Sequence, residues 1–219
     1  MSLSQKEFFL ESEGDRWFDR NAPQRTQDRR EIQVFTSFIK QGDRVLEIGC
    51  SGGATSMFFR SLGAQYFGID PSEKAISSAR EHYPESVFYI GTADELSFNN
   101  EEFDFVYFGF CLYLVDRKLL TRVVTEADRV LKNPGFLAIL DFETKLPCRR
   151  DYIHRPGLST YKMDYSALFL AYPHYAFAYK NIFAHAINHE LKFVEDIHSR
   201  ISTTILYKNF EHGYHEPGQ

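Results

Sequence analysis

An α/β fold built on a doubly wound, mostly parallel sheet is what this sequence predicts, and three observations carry it. Short β-branched or aromatic runs alternate with helical stretches between residues 42 and 142, glycine or proline closes most of these units, and a long amphipathic helix precedes the fifth run. Parallel neighbours need crossover connections, which are almost always right-handed, so this order leaves few topologies open. In such sheets ligands bind beyond the C-terminal ends of the strands.

The first strand is "DRVLEIG" (43–49), and "ATSMFFRSLG" (54–63) is a helix closed by Gly63. "QYFGIDP" (65–71) is the second strand, followed by a helix over 72–83 that Ser72 caps and Pro84 stops. "VFYIGTA" (87–93) and "FDFVYFGF" (103–110) are the third and fourth strands, separated by the polar loop "DELSFNNEE". The helix over 116–132 sets Leu119, Leu120, Val123, Val124, Ala127, Val130 and Leu131 on one stripe; "NPG" (133–135) turns the chain and "FLAILDF" (136–142) is the fifth strand.

Beyond this the pattern changes. Residues 149–181 show no clean period yet hold six of the thirteen tyrosines, so they read as an elaborate insertion on the core. "IFAHAI" and "TTILYKN" are expected to close the sheet as antiparallel strands at its edge. The chain reads as one domain, with a partly helical cap (1–40), a core (41–142), an insertion (143–180), closing strands (181–210) and a frayed tail.

Lys plus Arg number 25 against 30 Asp plus Glu, a net charge of -5, which lacks the basic footprint a nucleic acid requires. The first residues carry acids and no apolar leader, and no run of eighteen apolar residues occurs, so a cytoplasmic chain away from membranes is expected. Cys50, Cys111 and Cys148 are scattered and odd in number, reading as reduced thiols without a disulfide framework. His174, His185, His189 and His198 are too dispersed for a metal site, and no metal is expected.

The stretch "VLEIGCSGG" (45–53) has the strand-to-helix turn where ligands gather. A dinucleotide turn needs G-x-G-x-x-G, and from Gly49 the second and third glycines are replaced by Ser51 and Ala54. A phosphate loop needs a lysine after its last glycine, and none follows Gly53 until Lys74. The spacing that remains is an acid, Glu47, then Gly49, Ser51 and Gly53 at every second position, flanked by Cys50. Glycine-rich turns also arise for packing alone.

This turn resembles the first motif of the class I S-adenosylmethionine-dependent methyltransferases, E/D-x-G-x-G-x-G, with Ser51 in the middle slot. Three further segments fall in family order: "YFGIDPS" with Asp70 and Pro71 at the end of the second strand, "GTADELSF" with Ala93, Asp94 and Glu95, and "FDFVYFGFCLYLV" with Asp104 near its start and Phe108 to Phe110 at its end. The matching region covers residues 40–142. The resemblance implies a Rossmann-like, open seven-stranded sheet with S-adenosylmethionine across the strand ends and S-adenosylhomocysteine as product. Gly49 and Gly53 would lie under its methionine portion, Asp70 on its ribose, Asp94 on its adenine, and Phe108 and Phe110 at the cofactor-facing end of the fourth strand. The plainer reading of Asp70 is a cap for the helix that begins at Ser72.

Methyl transfer from a sulfonium asks the protein to align, desolvate and, where needed, take a proton, so no triad or metal cluster is required. Candidate contributors lie in the variable parts. In "GDRWFDRN" (14–21), Arg20 or Asn21 is placed to reach the cofactor's carboxylate or a lid; the alternative is a helix laid on the sheet by Trp17 and Phe18. In the insertion, Tyr152, His154, Tyr161, Lys162, Asp164 and Tyr165 put polar heads on aromatic bodies, and His154, Tyr161 and Asp164 are the catalytic candidates, His154 because imidazole titrates near neutrality. A structural flap of packed tyrosines is the alternative. "DYIHRPG" and "YKMDYSALF" are similar to a bacterial subgroup acting in glycan and secondary-metabolite pathways, which implies a small, sugar-like acceptor and O-methylation ahead of N-methylation. A monomer or homodimer is expected. A cofactor-binding sensor or scaffold without transfer activity is the reading from another class.

Overall fold

The computed structural model describes residues 4–21, 30–184, 195–196 and 198–214. Seven strands form one sheet in the order β3-β2-β1-β4-β5-β9-β8: β1 (Arg44–Ile48), β2 (Gln65–Asp70), β3 (Val87–Ile90), β4 (Phe103–Gly109), β5 (Leu131–Phe142), β8 (Tyr175–Ala184) and β9 (Arg200–Lys208). β1 to β5 pair in parallel; β9 runs antiparallel against both β5 and β8. The order reverses at β1, whose neighbours are β2 and β4, and that reversal opens a crevice at the carboxyl ends of β1 and β4.

Helix ends follow local chemistry. α3 (Ser56–Ser61) stops at Leu62, and Gly63 follows at φ +80, a left-handed residue past the helix end. α4 (Glu73–His82) starts at Ser72, whose Oγ accepts from the Ala75 amide at 3.0 Å. α5 (Leu120–Val130) is shorter than the 116–132 expected, and β5 begins at once at Leu131, so Asn133 to Gly135 form an irregularity inside the strand rather than a turn before it. Leu131 already pairs with Phe103, and pairing resumes at Phe136 with Phe105.

Side chains along β4 alternate between two cores. Phe105 and Tyr107 pack with Phe35 of the 3₁₀ helix Arg30–Ser37 and with Phe59 of α3; Val106 and Phe108 pack with Val123 of α5 and with Phe169 of α6 (Ser166–Leu170). Burial of these two apolar faces is the main stabilising term for a sheet covered on both sides.

The tyrosine-rich insertion is more regular than its sequence suggests. It contains a hairpin, β6 (Cys148–Asp151) with β7 (Ser159–Lys162), then α6 and the edge strand β8. β6, β7 and α6 have four or five residues each, too few to display a period, and β8 buries only Tyr175 and Phe183, so it shows no alternation. Because β8 starts at Tyr175, the insertion gives way to the main sheet before residue 180. The end of "IFAHAI", with His185, lies outside the described residues, as do His189, residues 22–29 of the cap and residues 215–219 of the tail. Among the described residues no helix is long and apolar enough to cross a membrane.

Candidate functional site at the strand ends

The glycine turn after β1 has left-handed backbone at every second position: Gly49 at φ +81, Ser51 at φ 49 and Gly53 at φ +74. That alternation is the physical content of the spacing, since only small residues tolerate it. Gly49 and Gly53 are also demanded by packing: a Cβ on Gly49 would lie 2.6 Å from Cys111 Cβ, and one on Gly53 would lie 2.6 Å from the Phe88 ring. Ser51 keeps its left-handed shape with its amide donating to Asp70 Oδ2 at 2.9 Å. Beneath the turn, buried Glu47 accepts from the Thr55 and Tyr66 hydroxyls, and any side chain at Gly109 would strike its Oε1.

Two cavities open here and share Trp17, Gly49, Gly109 and Phe110. The first, about 860 Å³ including its mouth, falls within the ~300–1,000 Å³ typical of small-molecule sites. Asp70 and Pro71 line it from β2, Ala93 and Asp94 from the loop after β3, and Leu119 and Val123 from α5. Asp70 Oδ1 accepts from the Ser72 amide at 2.9 Å while Ser72 itself caps α4, so Asp70 braces both the turn and the cap. Asp94 is buried. Burial opposes its ionisation, but the Lys6 ammonium, 2.8 Å from Oδ2, and Thr92 outweigh this and hold the carboxyl below its usual range.

The second cavity runs from Glu47, Cys50, Ser51 and Thr55 to Phe142 and the hairpin, with Arg20, Glu31, Arg150, His154, Thr160 and Lys162 in its wall. Phe110 stands where the cavities meet, at φ 60, an uncommon conformation for a bulky residue.

The chain's start roofs both. α1 (Gln5–Phe8), a π-helical turn (Phe9–Glu13) and α2 (Gly14–Asn21) cross the strand ends. Gln5 Nε2 donates to the carbonyls of Leu114 and Ser159, Asp15 accepts from the Ser72 hydroxyl at 2.6 Å, and Trp17 Nε1 donates to Tyr113 at 3.3 Å. Arg20 contacts Glu13 Oε1 at 2.5 Å and donates to the Tyr152 hydroxyl at 2.7 Å, which donates on to Glu13. Arg20 thus ties the roof to the insertion, and Asn21 donates to the Trp17 carbonyl. Phe18 is buried, as a helix laid on the sheet requires, while Trp17 faces the cavities.

Several expected residues fall elsewhere. Phe108 does not face the cofactor end: strand alternation turns it into the core beside Phe169. Tyr161 lies on the hairpin face opposite Lys162, its ring under the Arg117 guanidinium at 4.5 Å. Asp164 lies two residues before α6, accepting from the Ser166 amide at 3.0 Å, and pairs with Lys180 at 2.7 Å. Glu95 is exposed, 3.8 Å from Lys6. Of the three catalytic candidates, His154 lines the second of these cavities, and Tyr161 and Asp164 line neither of the two. Gln5, Lys6, Glu31 and Arg150 join these walls without a local sequence signal, because contacts across tens of residues put them there.

The pieces suit an S-adenosylmethionine-sized ligand on an observation independent of motif: Ser51 Oγ is buried in the turn without a hydrogen-bond partner among the described residues, beside the second cavity.

Residues 46–139 match the model of a methyltransferase domain. Over 119 residues the chain is 32% identical to an uncharacterised methyltransferase of Synechocystis, covering 54% of this chain and 51% of that protein. Over 70 residues it is 43% identical to a ubiquinone biosynthesis O-methyltransferase of Rhizobium etli, covering 30% of this chain and 28% of that one. The chain therefore spans about half or less of the length of these curated relatives. The solved structure of a Burkholderia thailandensis 1,6-didemethyltoxoflavin-N1-methyltransferase with bound S-adenosylhomocysteine aligns over 95% of this chain and 92% of that one, with TM-score 0.71 and 11% identity, a likeness of fold. The sheet order, the glycine turn and the matched stretch agree: residues 46–139 resemble a methyltransferase domain, and the chain shares the fold of a solved methyltransferase with bound S-adenosylhomocysteine.

Proposed function

We propose that this chain methylates a small acceptor, at a hydroxyl oxygen, with S-adenosylmethionine as donor. The observation that carries this is the pair of cavities meeting over the strand ends at Gly49, Gly109, Phe110 and Trp17. Bound there, S-adenosylmethionine supplies a methyl group made electrophilic by its sulfonium.

The residues divide the remaining work. Asp70 and Asp94 present carboxylates to the first cavity, suited to ribose hydroxyls and an adenine amino group, and the apolar wall of Ile48, Ile69, Leu119 and Val123 suits a flat ring. Ser51 Oγ, the turn and Arg20 face the side where an amino-acid end would lie. Trp17 and Phe110 line both cavities at their junction, where their rings would keep water from a bound ligand and so strengthen its polar contacts. His154 and Glu31 line the acceptor side and are placed to hold a proton leaving an acceptor hydroxyl. Thr160, Asp151 and Arg150 make that wall polar, in keeping with a hydroxylated, sugar-like acceptor. The match to a relative named as an O-methyltransferase supports oxygen over nitrogen; the N1-methyltransferase neighbour is alike in fold alone.

The test is transfer of label from methyl-labelled S-adenosylmethionine to hydroxylated acceptors and to their amino analogues, read by mass spectrometry. Methylated hydroxyl product is the expected result. Label on the amines alone would replace oxygen by nitrogen, and tight cofactor binding without product across the panel would favour a sensor or scaffold.

A further inference from the structure

The hairpin puts two cations on one wall of the acceptor cavity. β6 and β7 pair Cys148 with Lys162 and Arg150 with Thr160. Successive strand residues point to opposite faces, so Arg150, Thr160 and Lys162 share a face while Arg149, Tyr161 and Ser159 share the other. Arg150, Thr160 and Lys162 all line the cavity that begins at the glycine turn. Arg150 and Lys162 are diagonal neighbours, about 7–8 Å apart at the backbone, a spacing that long side chains bridge.

Neither cation is in a contact ion pair among the described residues, although the Asp196 carboxylate is near enough to act on both. Among the described residues no carboxylate lies at ion-pair distance from either; Lys162 Nζ donates to the His198 carbonyl at 3.2 Å and sits 3.7 Å from the Phe142 ring centre. Of the other charges in the cavity wall, Arg20 pairs with Glu13 and Glu47 holds Thr55 and Tyr66; Glu31 and Asp151 also line it, Asp151 from the opposite face of β6. Burial pushes the Lys162 ammonium below its usual range, and the neighbouring Arg150 adds to that push. A partly buried ammonium beside an exposed guanidinium of like charge is an arrangement that an anion between them relieves.

We propose that the acceptor bears an anionic group, a carboxylate or phosphate, which Arg150 and Lys162 clasp with the Thr160 hydroxyl between them. This rests on the methyltransferase reading above, and it names these three residues as determinants of acceptor choice. The other anion that reaches this cavity is the cofactor's own carboxylate, and the test separates the two.

Inorganic phosphate is titrated into the full chain, alone and with S-adenosylhomocysteine, by calorimetry; S-adenosylhomocysteine is titrated separately. Wild type is expected to bind phosphate saturably, and Arg150→Gln with Lys162→Met to weaken it by about tenfold or more while S-adenosylhomocysteine affinity changes less than about twofold. Arg150→Gln alone, at an exposed position, keeps the measurement available if the double variant does not fold, and is expected to weaken phosphate by about threefold or more. Phosphate that fails to saturate, or that binds variants and wild type alike, overturns the proposal. A parallel loss of S-adenosylhomocysteine affinity overturns it too, by assigning the cations to the cofactor. Wild type that binds phosphate but not S-adenosylhomocysteine overturns the methyltransferase reading instead.

Discussion

Removal of the Asp70 carboxylate separates a ligand contact from a structural brace. In Asp70→Ala two backbone donors, the Ser51 and Ser72 amides, lose acceptors that now lie at 2.9 Å each. Each unsatisfied donor costs about 1–3 kcal/mol when fully buried, and less at this half-buried position, so a loss of about 2 kcal/mol in total is expected. For a chain of this size that lowers Tm by roughly 4–8 °C. The ligand term is distinct: charge-assisted bonds to two ribose hydroxyls are worth about 1.5–3 kcal/mol, or roughly ten- to 150-fold in Kd. Calorimetry with S-adenosylhomocysteine and a thermal melt read the two terms on the same sample. A lowered Tm with unchanged Kd, measured well below the transition, would refute the ribose assignment and leave Asp70 as a brace.

Two further expectations concern buried charge. Arg20→Ala leaves the buried Glu13 carboxylate without its cation; with Arg20 itself partly exposed, the loss is about 2–3 kcal/mol, and adding Glu13→Gln should restore most of it, with cofactor affinity following as the roof re-forms. Equal melts for the single and double variants would show that the pair contributes nothing. Burial pushes the Asp141 carboxyl up to about 7, although it accepts from the Phe142 and Tyr113 amides. The folded chain then binds more protons than the unfolded one between about pH 4 and 7, so this residue's contribution is full at the acid end and is lost as pH rises through 7, by about 4 kcal/mol at most. Asp141→Asn should therefore raise Tm relative to wild type most at pH 8, less at pH 5 and least near pH 4; a pH-independent shift would contradict this.

Much of the architecture was legible because it rests on local chemistry. The β-α alternation, the Ser72 cap and the glycine after α3 each follow from a few neighbouring residues. The short elements of the insertion were not, since a four-residue strand such as β7 carries less than one useful period and its stability comes from what it packs against. The glycine turn was legible for the same local reason: alternating left-handed backbone restricts positions 49, 51 and 53 whatever surrounds them.

What the sequence alone determined, then, is a strand-turn-helix core with small residues at fixed intervals, because backbone conformation is a short-range property. Tertiary structure decided which charges share a wall. Lys6 meets Asp94 across 88 positions and Tyr152 meets Glu13 across 139, and the parity of a hairpin sends Lys162 to the cavity and Tyr161 away from it. No local pattern encodes such contacts, since they exist only once the roof has crossed the strand ends and the sheet has chosen its register.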